Sequence, residues 1–259
     1  MQEINKGLNY TMLTTTQVAL ITGSGRRIGA HIANILHTAG INVVLHYHHS
    51  EKEAKELCED LNEKRAHSAF LLPADLADMT CLKNFVTDAA AFFGRLDILV
   101  NNASCFDKTL FGAVTEDHFD QILNINLKAP FFLCQHAAPY LKEQQGCIIN
   151  IADVHADRPM RDYGVYCISK AGLIMLTKVL AKELGPLVRV NAVSPGTVAL
   201  PEGKNELSPS VKQKILQKIA LNRHGEALDI AKAVLFLVRE ADYMTGSVLV
   251  VDGGRSLSI

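Results

Sequence analysis

An excess of charge of either sign is missing from this chain. Its 26 lysines and arginines face 27 aspartates and glutamates, a formal net charge of −1, with no basic block or polybasic tail. Such a balance gives nucleic acid and anionic membranes no electrostatic footing, so neither is expected as a partner. No apolar run reaches the roughly 18–20 residues that cross a bilayer as a helix. The six cysteines (Cys58, Cys81, Cys105, Cys134, Cys147 and Cys167) stand singly, without a C-x-x-C pair. Disulfide frameworks and zinc sites need paired spacing, so buried free thiols and no metal are expected. The ten histidines are scattered, apart from His46, His48 and His49. No Pro/Gly/Ser-rich linker divides the chain. The polar stretch 1–16 lacks a charged-then-apolar signal pattern and reads as a flexible leader, with a cytoplasmic location expected.

What is present is alternation. Short apolar, β-branched runs at 18–22, 42–46, 69–73, 98–101, 147–151, 188–193 and 247–250 are separated by helix-like segments. Those segments lie at 27–39, 51–63, 80–93, 117–141, 163–184 and 228–239. Continuously apolar strands between helices predict a parallel sheet covered on both faces. The expected fold is a single α/β domain over 17–259, Rossmann-like, three-layer αβα, with a doubly wound sheet of about seven strands. The least regular stretch, 197–216, holds Pro201, Gly203 and Pro209 and follows the sixth strand. Ligands bind at that end of such a sheet, which makes the stretch a candidate lid.

The first strand runs into T-G-S-G-R-R-I-G at 22–29, just before the first helix. Glycines there let the backbone approach a pyrophosphate, and the helix end offers free N–H groups and partial positive charge. Gly23, Arg26, Arg27 and Ile28 are the expected cofactor contacts in this turn. At the end of the second strand an NAD enzyme usually carries an acid for the ribose hydroxyls. This chain reads His46-Tyr47-His48-His49-Ser50, with no acid before Glu51. The two arginines and the Ser50 hydroxyl favour NADP(H), with Ser50 as a helix N-cap the bland alternative. Asp75 and Leu76 are placed for the adenine, although Asp75 also reads as a turn residue. Asn102, Ala103 and Ser104 follow the fourth strand, under the expected ribose.

Tyr166 and Lys170 stand four apart on a predicted helix, hence on one face. An ammonium beside a phenol pulls its pKa of about 10 downward, which makes the tyrosine a usable proton donor. Asp153 precedes Tyr166 by thirteen residues.

Together the glycine turn and Y-x-x-x-K resemble the short-chain dehydrogenase/reductase superfamily over nearly the whole chain, from Val18 to Gly254. That superfamily normally has serine where Asp153 stands and glycine where Arg27 stands. A carboxylate would repel the alkoxide formed from a ketone; it suits a reducible bond ending in nitrogen, which must take up a proton. The arginine-bearing turn, L-H-Y-H-H-S, N-N-A-S-C-F and Asp153 resemble the pteridine reductase branch, although that branch usually has arginine in place of His49. The resemblance implies a pterin stacked between nicotinamide and Phe106, bonded by Ser104 and Arg27, with Asp153 and Tyr166 delivering the proton. It also implies Lys170 on the nicotinamide ribose, Asn126 linking Lys170 through water to solvent, Pro195 and Gly196 on the carboxamide, and a homotetramer. A raised pKa would let Asp153 donate. Two rivals remain: a carbonyl reductase, such as a 3-oxoacyl-[acyl-carrier-protein] reductase, and a non-catalytic NADP-sensing protein.

Overall fold

The structure, a computed structural model, describes residues 16–198 and 208–257. The proposed leader, but for residue 16, and most of the central part of the proposed lid, 199–207, lie outside the described residues. Seven parallel strands form one sheet: β1 (Val18–Ile21), β2 (Asn42–Tyr47), β3 (Ala69–Pro73), β4 (Ile98–Asn101), β5 (Cys147–Ile151), β6 (Arg189–Pro195) and β7 (Val248–Val251). Their order is β3-β2-β1-β4-β5-β6-β7. The direction of winding therefore reverses between β1 and β4, where Ala19 pairs with Ile98. Strand ends part at such a switch point and leave a crevice for a ligand.

Eight α-helices are described: α1 (Arg27–Thr38), α2 (Glu51–Lys64), α3 (Leu82–Ala91), α4 (Glu116–Leu123), α5 (Ala129–Glu143), α6 (Gly164–Leu184), α7 (Pro209–Leu216) and α8 (Ala227–Arg239). In β1, Ala19 and Ile21 join one core with Ile32 and Leu36 of α1 and Val234 and Leu237 of α8. Val18 and Leu20 join the other, with Phe85 and Val86 of α3 and Leu133 and Ala137 of α5. A strand buried on both faces must be apolar at every position, which explains the unbroken runs in the sequence. Each fully buried Leu or Ile contributes about 1.5–3 kcal/mol.

The helix expected over 117–141 is broken. Between α4 and α5 lies a π-turn, Asn124–Lys128. Pro130, at the start of α5, has no N–H to donate back into the preceding turn, so the regular ladder is interrupted there. Within 197–216, Ser208 caps α7 by accepting the Val211 N–H. Helix α6 has the length and apolar composition of a membrane span, although polar residues interrupt its apolar sequence. Yet 61% of its most apolar 18-residue window is buried inside the fold, as expected of a core helix.

Candidate active site

The turn after β1 is held from three sides. Gly23, at φ +62°, donates its N–H to His46 Nδ1 over 2.9 Å. Since a backbone N–H can only donate, the His46 proton sits on Nε2, which donates to the Ala74 carbonyl over 3.1 Å. Burial lowers the His46 pKa to about 4, so the ring stays neutral. The Asn102 amide donates to the Thr22 and Gly23 carbonyls over 2.8 and 3.0 Å. Thr22 Oγ1 accepts the N–H groups of Asn102 and Ala103. A Cβ at Gly29 would stand 2.2 Å from the Gly23 carbonyl oxygen, so α1 starts pressed against the turn. His46 and Asn102, both expected at the cofactor, thus spend their side chains shaping the turn that would hold it.

The amino end of α1 has no side-chain cap and no acid in its first turn. Its free N–H groups and dipole suit an anion, and a dinucleotide pyrophosphate fits this bare backbone. Arg26 and Arg27 are exposed there, while Ile28 packs on the core. Arg27 holds φ at +55°, the left-handed region natural to the glycine it replaces.

Beyond β2, the His48 and His49 rings lie 3.7 Å apart, both residues exposed. Ser50 begins α2 without a side-chain capping bond, so its hydroxyl is not spent on the helix. The side chain of Asp75 accepts the Ala77 N–H over 2.9 Å, an Asx turn that uses one carboxylate oxygen. Leu76 is buried and Ser104 exposed. After β6, Gly196 donates its N–H to Val251, and a Cβ there would lie 2.6 Å from Asp252 Cα.

Asp153, Tyr166 and Lys170 meet at the end of β5. Asp153 Oδ1 accepts the His155 N–H over 2.8 Å, and Oδ2 accepts the Tyr166 hydroxyl over 2.7 Å. Both carboxyl oxygens of Asp153 are thus occupied, one by the backbone of the following turn and one by the catalytic tyrosine. Lys170 Nζ donates to the Ile151 carbonyl over 2.8 Å and stands 5.7 Å from the Tyr166 ring centroid. Lysine was expected to dominate Tyr166 and lower its pKa. Instead burial, followed by the charge and hydrogen bond of Asp153, holds the phenol well above its usual value. Burial meanwhile lowers Lys170 to about 8, with Asp153 opposing. The phenol therefore stays protonated and holds its proton more tightly than a free tyrosine until a basic substrate atom arrives.

Asn126, in the π-turn, accepts the Cys105 N–H over 2.8 Å and donates to the Cys105 carbonyl and to Ser169 Oγ. It clips the loop after β4 to α6 and makes no direct bond to Lys170. That clip carries Phe106, which stacks on Tyr163 at 4.6 Å and meets Tyr166 edge-on at 4.8 Å. Tyr163 was not among the expected site residues. An aromatic three positions before Tyr166, at the start of the expected helix, was the available signal. Arg255 was missed too: its Nη1 is buried without a hydrogen-bond partner, and Asp153 is the first carboxylate acting on its charge.

Comparison with known proteins agrees with this geometry. The family profile described as enoyl-(acyl carrier protein) reductase matches residues 23–256. A 3-oxoacyl-[acyl-carrier-protein] reductase of Staphylococcus aureus is 36% identical, over 92% of this chain and 98% of its own. Pteridine reductase 1 of Leishmania tarentolae is 33% identical, over 96% of this chain and 99% of its own. A short chain dehydrogenase of Emericella nidulans is 33% identical, over 93% and 95%. Relatives of such different names share one scaffold end to end, and the chain belongs to their family, the short-chain dehydrogenase/reductases, as an oxidoreductase.

Proposed function

We propose that this chain reduces a pteridine with NADPH, taking a dihydropterin to its tetrahydro form. The observation that carries the reading is the 2.7 Å bond from the Tyr166 hydroxyl to Asp153. Two like charges 4 Å apart cost about 4 kcal/mol at the effective dielectric of a protein surface. An alkoxide forming beside Asp153 would meet that repulsion, whereas a ring nitrogen gaining a proton would not. NADPH, when bound, supplies the hydride. Tyr166 donates the proton to the nitrogen, and the Lys170 ammonium beside its ring offsets the repulsion between Asp153 and the phenolate left behind. NADPH over NADH is supported by the missing acid after β2, the uncapped Ser50 and the arginines of the turn.

A homotetramer belongs to the same proposal. Phe131 of α5 and Ile168, Met175 and Val179 of α6 are large, apolar and exposed, on helices whose other faces cover the sheet. A second reading, reduction of a 3-oxoacyl thioester, is favoured by the staphylococcal relatives at 36% identity.

NADPH oxidation with dihydrobiopterin, dihydrofolate and an acetoacetyl thioester separates the two. The pterin is expected to be turned over, and D153S is expected to cut that rate about 100-fold or more, with NADPH affinity within about twofold of wild type. Turnover of the thioester alone would sink the pteridine reading. Equal loss of rate and of NADPH affinity in D153S would make Asp153 merely structural.

A further inference from the structure

The chain after β7 is fixed with unusual care. Asp252 Oδ1 accepts the Gly254 N–H over 2.8 Å and Oδ2 accepts the Ser256 N–H over 2.7 Å. Gly254, at φ +82°, leaves no room for a side chain, since its Cβ would lie 2.7 Å from Ala220 Cβ. Gly196 presses on Asp252 from β6. Arg255 therefore leaves a rigid backbone, and its half-buried side chain ends in an Nη1 that solvent does not reach and no protein atom bonds. A buried charged donor without an acceptor is costly, and a ligand oxygen that completes it removes that cost. Asp153 acts on the charge of Arg255, yet its two oxygens already accept from His155 and Tyr166.

We propose that Arg255 is a substrate-binding residue whose guanidinium donates to a planar oxygen acceptor on the substrate, at the carboxyl edge of the sheet that also carries Asp153. The flat, forked guanidinium matches a carboxylate or the carbonyl–nitrogen edge of a heterocyclic ring. For the identity of the acceptor this rests on the pteridine reading. The ring carbonyl of a pterin and the glutamate tail of a folate carry the same chemistry, and dihydrobiopterin, which has no carboxylate, tells them apart.

The test uses R255M and R255K of the full chain, with NADPH affinity and melting temperature as controls. Biopterin and folate are titrated onto the enzyme–NADP+ complex by fluorescence, and KM is measured for both dihydro forms. R255M is expected to weaken pterin binding about tenfold or more, as loss of a charge-assisted hydrogen bond does, with NADPH affinity within about twofold and partial recovery in R255K. Losses for both substrates place the contact on the ring; a loss confined to the folate places it on the tail. Unchanged binding of both in R255M overturns the assignment. So does a shifted pH profile of kcat/KM with unchanged binding, which would leave Arg255 only positioning the charge of Asp153. Failure of the pteridine reading looks different: wild type would neither bind nor reduce a pterin. Arg255 is then judged on the acetoacetyl thioester, and a KM in R255M within about twofold of wild type overturns it as well.

Discussion

Arg27 holds φ at +55° in a turn where Gly23 holds +62°, and a side chain in that region costs about 1 kcal/mol. Strain of this kind persists where the side chain has work at a site. R27G is expected to leave the melting temperature at or slightly above that of wild type, while raising the pterin KM about tenfold, the loss of one good polar contact. A melting temperature several degrees lower in R27G would show that the contacts of Arg27 outweigh its strain. Tyr166 illustrates what residue spacing can and cannot tell. Its i, i+4 relation to Lys170 was legible because helices put such residues on one face. The direction of its pKa was not, because burial and the partner 13 residues upstream dominate, and neither can be read from spacing. Cys105 makes the same point: burial and Asp107 push its thiol up to about 12, which leaves it protonated and unreactive beside the site.

Elements were legible where hydrophobic period decided them. All seven strands fall on the apolar runs of the sequence, because both faces of a parallel sheet demand apolar residues. The helix before β5 was misjudged, since its apolar period continues straight across the π-turn at Asn124–Lys128. Pro130 interrupts the ladder, and the amide of Asn126 then ties the turn to a loop twenty-one residues away, a tertiary contact that period cannot reveal. Interruptions of this type recur at functional sites, and here one ties the loop bearing Phe106 to the helix bearing Tyr166. N126A removes three hydrogen bonds and strands the half-buried Cys105 backbone groups. It is expected to cost about 2–4 kcal/mol, lowering the melting temperature by several degrees, and to raise the pterin KM as Phe106 loosens. If N126A melts lower but keeps its KM, the clip serves stability alone and Phe106 is held by Tyr163.

Across the whole molecule, the cofactor turn, the Tyr/Lys pair and Arg255 come from ends of β1, β5 and β7, far apart in sequence and gathered by one sheet order. That order explains why the site was partly legible. Motifs local to one strand end could be read directly, whereas a residue delivered by the last strand needed the fold. The same gathering buries two histidines that must stay neutral. His46 bridges the turn after β1 and the Ala74 loop, His37 bonds Ser68, and burial is the first cause lowering each to about 4. In the unfolded chain both return to about 6.5. Between pH 6.5 and 4 the unfolded state therefore binds more protons than the folded one, so stability falls as pH falls through that window. Above pH 6.5 the contribution is complete, and below 4 it is lost. At 1.36 kcal/mol for each pKa unit, the buried His46 alone accounts for roughly 3 kcal/mol. Thermal melts from pH 7 to pH 4 should show a steep decline that flattens in H46Q, whose baseline stability is lower. A wild-type melting temperature constant across that range would mean that neither histidine is held neutral by the fold.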